Sequence, residues 1–327
     1  MNDAPGAAPQ RLDDGSALLD TGHAGRARTI GVYLVPQRVA AGRAGRFDLI
    51  EAGAAANVAA VEAGIAALGL DPAAIERVLV THIHLDHAGA AGHWAQRYGA
   101  RVVVSEVGAP HLLDPSRLMA SAGRVYGEAL DRLWGAMTPV PAEQLEVVSD
   151  GDEIHVGGRR LRVVATPGHA RHQVAFVDDD VVYSGDALGI RFAPWPVVRP
   201  ALPPPEIDLA AWDVTFARLR SLAARELRLT HFGPFGDVEH HLAAAQTATH
   251  AWAAAALSWA EAGMSREEAM AACDAMARAE LEAAGADETS IQRYLASSDA
   301  PMSVDGLARY WRVHHPERWP GWRHDDG

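Results

Sequence analysis

The stretch Thr81-His82-Ile83-His84-Leu85-Asp86-His87-Ala88-Gly89 limits what this chain can fold into more than any other part of it. Four side chains of metal-ligating type, His82, His84, Asp86 and His87, follow directly on the apolar run Val78-Leu79-Val80 and precede a helix-like stretch that begins near Gly92. Such density is hard to account for without a metal. Side chains repeat every two residues in an extended segment, so His82 and His84 point the same way, while Asp86 and His87 lie on the turn that follows. One loop can therefore address two metals, with two ligands to each.

Three further apolar runs end in residues of ligand type. Leu161-Arg162-Val163-Val164-Ala165 runs into Thr166-Pro167-Gly168-His169, Val181-Val182-Tyr183 into Ser184-Gly185-Asp186, and Leu227-Arg228-Leu229 into Thr230-His231-Phe232-Gly233. Strands that deliver His or Asp at their C-terminal ends are what layered α/β and β-sandwich enzymes use to place their chemistry. The single cysteine, Cys273, excludes an intramolecular disulfide and a Cys-rich zinc site, so a metal here must be held by nitrogen and oxygen. That donor chemistry suits zinc, iron or manganese.

Composition narrows the partners. With 327 residues, 49% apolar and 22% charged, the chain is long enough for one large domain and an appendage. A formal charge of −13 disfavours nucleic acid or an anionic membrane as the main partner, because both ask for a basic face. The opening Met1-Asn2-Asp3-Ala4-Pro5-Gly6 has neither a basic nor an apolar signal region, and no later stretch has the roughly 18 apolar residues of a spanning helix. The expectation is a cytoplasmic protein acting on a small molecule, with no nucleic-acid or membrane partner.

Taken in order, residues 1–27 read as an N-terminal tail, 28–236 as the main domain and 237–327 as a helical subdomain. Strands are expected at 30–35 and 47–50, joined by a hairpin connection over 37–46, then a helix at 54–68 and a helical piece at 72–76 ahead of the metal loop. A helix at 92–98 and a strand at 101–104 follow. Residues 105–146, punctuated by Pro110, Pro115, Pro139 and Pro141, form a helical insertion with runs at 116–125 and 128–134; carrying Met119, Tyr126, Trp134 and Met137, it is either a substrate lid or a packing element. Gly157-Gly158 signals a turn. In the C-terminal part, helices are expected at 238–262, after the capping box that opens at Ser265, and at 303–314. They would pack against the core or against a second copy of the chain, making a homo-oligomer.

The order His82-x-His84-x-Asp86-His87, then His169, Asp186 and His231, resembles the ligand set of the metallo-β-lactamase-fold hydrolase superfamily. Thr166-Pro167-Gly168-His169, Ser184-Gly185-Asp186 and Leu49-Ile50-Glu51-Ala52-Gly53 look like further characteristic segments, and the resemblance covers residues 28–235. It implies an α/β (α+β) fold, an αββα sandwich with the metals at one edge of the two sheets and the C-terminal helices added. It also implies that His82, His84 and His169 hold one metal, that Asp86, His87 and His231 hold a second, and that Asp186 bridges them. The implied cofactors are two divalent ions, zinc foremost, with iron or manganese as alternatives. Asp186 places the chain nearer glyoxalase II-like and lactonase-like members than the antibiotic-hydrolysing branches. The implied reaction is attack of a metal-bridging hydroxide on a small ester, thioester, lactone or phosphodiester, with Asp86 assisting proton transfer to the leaving group.

The chain departs from the family pattern where Glu51 stands in place of the usual Asp. Leu18-Leu19-Asp20-Thr21-Gly22 matches that pattern better, but lies too far from the metal loop and lacks a strand before it, so it reads as a decoy. His172, Arg191 and Tyr126 are candidate substrate contacts, with a polar surface role, a surface salt bridge and core packing as the respective plain readings. The histidines outside the ligand set, such as His240, His241, His314 and His315, read as surface or core-edge residues. The alternative function is a mononuclear iron oxidoreductase resembling the persulfide dioxygenases, which share this fold and use part of a similar ligand set.

Overall fold

A computed structural model describes residues 8–37, 45–156 and 158–323. Residues 38–44 of the expected hairpin connection and Gly157 of the expected turn lie outside them. The chain divides into two compact units that interleave along the sequence: Met1–Ala165, His172–Gly185 and Thr230–Gly233 form the first, and Thr166–Arg171, Asp186–Leu229 and Pro234–Gly327 the second. The second unit thus takes in far more than the helices expected after 236.

The first unit is built on a seven-stranded sheet in chain order: β1 (Gln10–Arg11), β2 (Ala17–Asp20), β3 (Gly31–Pro36), β4 (Phe47–Ile50), β5 (Ile75–Leu79), β6 (Arg101–Ser105) and β7 (Leu145–Val148). Its first strands are antiparallel, and β4 through β7 are parallel. Parallel strands are covered on both faces and so read as unbroken apolar runs, as Val78-Leu79-Val80 and Val102-Val103-Val104 do. The expectation of a tail over 1–27 is corrected at β1 and β2. Leu18 and Leu19 are buried, and Asp20 closes the loop after them by accepting from Gly22 N and Arg28 N at 3.0 and 2.8 Å. The segment that reads as a decoy for the metal-site motif is nonetheless a strand of the sheet, so the correction falls on the tail and not on the decoy.

One face of this sheet is covered by α1 (Val58–Ala67), while the short α2 (Leu85–Ala88) and α3 (Ala91–Tyr98) follow β5. Val61 and Ile65, one helical turn apart on α1, and Trp94 of α3 join Leu19, Val32, Leu49 and Val78 in the core. The expected helical piece at 72–76 is only a single 3-10 turn, Pro72–Ala74, capped by Asp71, after which β5 begins. The 105–146 insertion holds α4 (Ala109–Leu113), α5 (Ser116–Tyr126) and α6 (Leu130–Leu133).

Asp48, in the middle of β4, is fully buried. Burial pushes its carboxyl up to about 7 against the pull of Arg77. Between the ordinary aspartate value and about 7 the unfolded chain ionises this carboxyl while the folded chain keeps it protonated. Stability therefore falls as pH rises through that window, by up to about 4 kcal/mol, and stays lowered above it. Asp48→Asn is accordingly expected to raise the unfolding free energy by about 2–4 kcal/mol at pH 8 and to change it little at pH 4, read from urea unfolding at both pH values.

A second, antiparallel sheet of this unit runs β8 (Glu153–Val156), β9 (Arg159–Ala165), β10 (Val174–Asp178) and β11 (Val181–Tyr183). It meets the first where Val174 N donates to Thr81 O at 2.9 Å, Ser105 Oγ to His172 O at 2.6 Å, and Tyr33 and Tyr183 meet edge to face.

The second unit is mainly helical. It contains α7 (Leu209–Ser221), capped by Asp208, the strand β12 (Glu226–Leu229), and then α8 (Val238–Glu261), α9 (Arg266–Ala283), α10 (Glu288–Ser297) and α11 (Ala300–His314). The capping box on Ser265 and Glu268 is present. Trp311 of α11 donates to Ala253 O of α8 at 2.8 Å. Among the described residues no helix is long and apolar enough to cross a membrane.

Candidate metal centre

After β5 the chain runs through Thr81–His84 without regular structure and enters α2, with His84 at its N-cap. Asp86 and His87 therefore lie on a helical turn, not on an open one. His82 Nε2 and His84 Nδ1 face each other at 3.0 Å. Two nitrogens bound to one tetrahedral zinc at its usual bond length would stand about 3.3 Å apart, so the pair fits a shared ion. Asp86, His87 and His231 form a compact donor set within this unit, their ligand-type atoms all within 4.8 Å of one another. Asp86 Oδ2 lies 3.5 Å from His87 Nε2 and 3.2 Å from His231 Nε2. Burial works against the charge on Asp86, but His87 and His231 outweigh it and hold the carboxyl well below the ordinary range. In the second unit, His169 Nε2 lies 3.5 Å from Asp186 Oδ2.

The other nitrogen of each of four of these histidines is anchored. His87 Nδ1 lies 2.9 Å from Glu51 Oε1, His231 Nδ1 2.6 Å from Thr29 O, His169 Nδ1 2.9 Å from Ala201 O, and His82 Nδ1 3.0 Å from Thr81 Oγ1. Each Nδ1–H donates to its oxygen, which fixes the tautomer and leaves the Nε2 lone pair for a cation. This is the arrangement metal-bound imidazoles need, and the residues present fit a metal.

Glu51 ties this network together. It is buried, and its Oε1 accepts from Thr81 Oγ1 at 2.7 Å, His87 Nδ1 at 2.9 Å and Thr230 Oγ1 at 3.1 Å, while Oε2 accepts from Thr81 N at 3.2 Å. The departure from aspartate thus keeps a carboxylate beneath the site. Its backbone sits at φ 71, in the left-handed region that favours glycine. Gly185 is required for a different reason: a Cβ there would fall 2.4 Å from Thr81 Oγ1.

The remaining candidates divide. His172 is buried, its Nδ1 accepts from Ile83 N at 3.5 Å, and its ring lies 5.9 and 5.6 Å from those of His82 and His84. Arg191 forks onto Asp237 with two contacts of 2.8 Å and lies 4.3 Å over the Phe235 ring, so its guanidinium is committed to a carboxylate of its own unit. That ion pair, with burial opposing, lowers the Asp237 carboxyl. Tyr126 is half-buried and packs against Trp134 at 5.4 Å. His23, which the sequence pattern did not single out, stacks on Trp134 at 4.7 Å and lies 2.9 Å from Asn57 Oδ1 through its Nδ1. Only its position directly after Leu18-Leu19-Asp20-Thr21-Gly22 could have drawn attention to it.

Known proteins resemble the chain at three levels. The model of the metallo-beta-lactamase superfamily matches residues 11–233. A metallo-beta-lactamase fold-containing protein of Sulfurisphaera tokodaii is 30% identical over 173 residues, 51% of this chain and 65% of the relative. A hydroxyacylglutathione hydrolase of Rhodopseudomonas palustris is 36% identical over 140 residues, 42% of this chain and 44% of the relative. The chain thus spans less than two thirds of each of these relatives. Among solved structures, a metallo-beta-lactamase family protein from Thermus thermophilus matches with a TM-score of 0.63 at 24% identity, covering 92% of this chain and 94% of that one. An archaeal superfamily protein from Sulfolobus tokodaii matches with a TM-score of 0.58 at 25% identity, covering 73% and 86%. These likenesses show the fold, an α/β sandwich of the αββα type with a C-terminal helical region. Fold, motif order and family model agree: the chain belongs to the metallo-β-lactamase superfamily.

Proposed function

We propose that the chain is a metal-dependent hydrolase that uses two divalent ions, zinc foremost, on a small ester, thioester, lactone or phosphodiester. Members of the superfamily are mostly hydrolases. The observation that carries the reading is the set Asp86, His87 and His231, with both histidines held through Nδ1 so that their Nε2 atoms converge on one carboxylate oxygen. In this reading His82, His84 and His169 hold the first ion, Asp86, His87 and His231 the second, and Asp186 spans both. Cys273 is no competitor as a ligand, since it is buried and its thiol is pushed up to about 12.

When bound, the ions would acidify a water molecule and polarise the scissile carbonyl or phosphoryl oxygen. The chain's own residues do the rest. The anchored imidazoles stay oriented, and Glu51 keeps Thr81, His87 and Thr230 in register. Asp86, ionised and only partly covered, can accept a proton and pass it to the leaving group. The likeness to a hydroxyacylglutathione hydrolase supports thioesters within the substrate range, although the match spans less than half of that relative.

The test is elemental analysis of protein purified without added metal, combined with oxygen uptake in the presence of glutathione persulfide. About two zinc ions per chain without uptake, and turnover in a panel of thioesters, lactones and phosphodiesters, is the expected result. About one iron with uptake would overturn the reading in favour of a dioxygenase.

A further inference from the structure

Where β4, β5 and β6 begin, at the end of these parallel strands away from the metal loop, the first unit holds a cavity of about 350 Å³. Arg46, Ala73, Glu76, Arg77, Tyr98 and Arg101 are in its wall. The donor set lies beyond the other end of β5, so the cavity is a separate place on the sheet.

The register puts Arg77 directly opposite Arg101 on neighbouring parallel strands. Their side chains therefore leave the same face, from backbones about 4.8 Å apart. Like charges at that spacing repel and call for a negative partner. The chain supplies it in part. Arg77 donates from Nη1 to His155 O at 2.9 Å, and its Nε reaches Glu146 Oε2 at 3.4 Å. Arg46 pairs with Glu76 at 3.0 Å, and Glu76 also accepts from the Gln37 amide. Buried Asp48 keeps its proton up to about pH 7 even with Arg77 acting on it. Arg101 is exposed and makes no side-chain hydrogen bond or ion pair among the described residues.

Three guanidiniums thus share one cavity with a single carboxylate, Glu76, in its wall, on a chain whose formal charge is −13. We propose that this cavity binds a phosphate group, independently of the metal centre. A guanidinium offers its N–H groups in a planar fork that matches phosphate oxygens. A tetrahedral phosphate can meet two such forks at once, whereas a carboxylate has two oxygens in one plane. The volume exceeds what the phosphate fills and leaves room for the organic part of a phosphomonoester, with Ala73 and Tyr98 as apolar wall. Nothing in this site depends on the hydrolase reading.

The test is calorimetric titration of the full-length, metal-loaded protein at pH 7 and constant ionic strength, with inorganic phosphate and glycerol 3-phosphate as probes. Saturable binding is expected, weakened about tenfold in Arg77→Gln and in Arg101→Gln. Arg101→Lys should lose less, because an ammonium keeps the charge without the fork. Arg101 has no side-chain partner to lose, so the melting temperature and metal content of its variants should match those of the parent. Arg312→Gln makes the same charge change on the exposed side of α11 and should leave binding within a factor of about two. Tighter binding of the ester assigns the site to a phosphorylated molecule, tighter binding of phosphate to the free ion, and either supports it. Absence of saturable binding, or equal affinity in parent, Arg77→Gln and Arg101→Gln, would overturn the site. Binding that those variants leave intact but a chelator abolishes would place the phosphate on the metal ions instead.

Discussion

Asp186→Ala is expected to bring hydrolysis down by at least about a thousandfold, the scale of a lost charge-stabilising group, and to take the metal content from about two ions per chain to about one or fewer. A carboxylate has two oxygens that can reach two ions at once, whereas an imidazole offers one nitrogen. Asp186 is buried and lies 3.5 Å from His169, so truncation takes the carboxylate away from beside that imidazole. Asp186→Asn, which keeps the shape but carries no charge, should fall between the two. His172→Ala is the control: it removes an acceptor for Ile83 N and leaves metal content near normal. Elemental analysis and turnover on the same preparations decide the matter, and full activity in Asp186→Ala would remove the bridging role.

Glu51→Ala should have the next largest effect. Three donors, Thr81 Oγ1, His87 Nδ1 and Thr230 Oγ1, converge on one carboxylate oxygen, and all three residues are buried. Without the acceptor, His87 loses the bond that selects its tautomer, and metal affinity should drop about 10–100-fold. Leaving buried donors unmade should also lower stability by about 3 kcal/mol. The backbone at Glu51 supplies an internal check, because its φ of 71 suits glycine. Glu51→Gly should lose as much metal affinity as Glu51→Ala but recover about 1 kcal/mol of stability. Competition with a chelator and urea unfolding separate the two quantities. Metal affinity within a factor of about two of the parent would show that the carboxylate does not orient the site.

The sequence exposed the centre well because its signals are local. Four donors in one loop, and a His or Asp soon after each later apolar run, need no knowledge of tertiary contacts. What escaped was carried by distance along the chain. The strands β1 and β2 are two and four residues long and gain their place by pairing onward to β3, so residues 1–27 read as a tail. His23 meets its partner Asn57 across 34 positions, a relation no spacing rule encodes. Arg191 reads as a candidate anion contact because it follows Asp186 closely, yet Asp237 lies 46 positions on and takes both arms of its fork. Glu51 read as a weakness in the motif because the pattern names a residue type, whereas the site asks for an acceptor oxygen at a given point.

The segment between β6 and β7 has a further bearing on how such a chain can change over time. Its two flanking strands are parallel neighbours, with Val102 opposite Leu145 and Ser105 opposite Val148. A chain leaving the end of one such strand must travel back to the start of the next, and no short turn can make that journey. Residues 106–144, which carry Tyr126 and Trp134, are that return path. Their presence is imposed by the connectivity, but their length and side chains are not, so insertions and substitutions can accumulate there without touching a single donor atom. The return path can therefore drift while the donor set stays put.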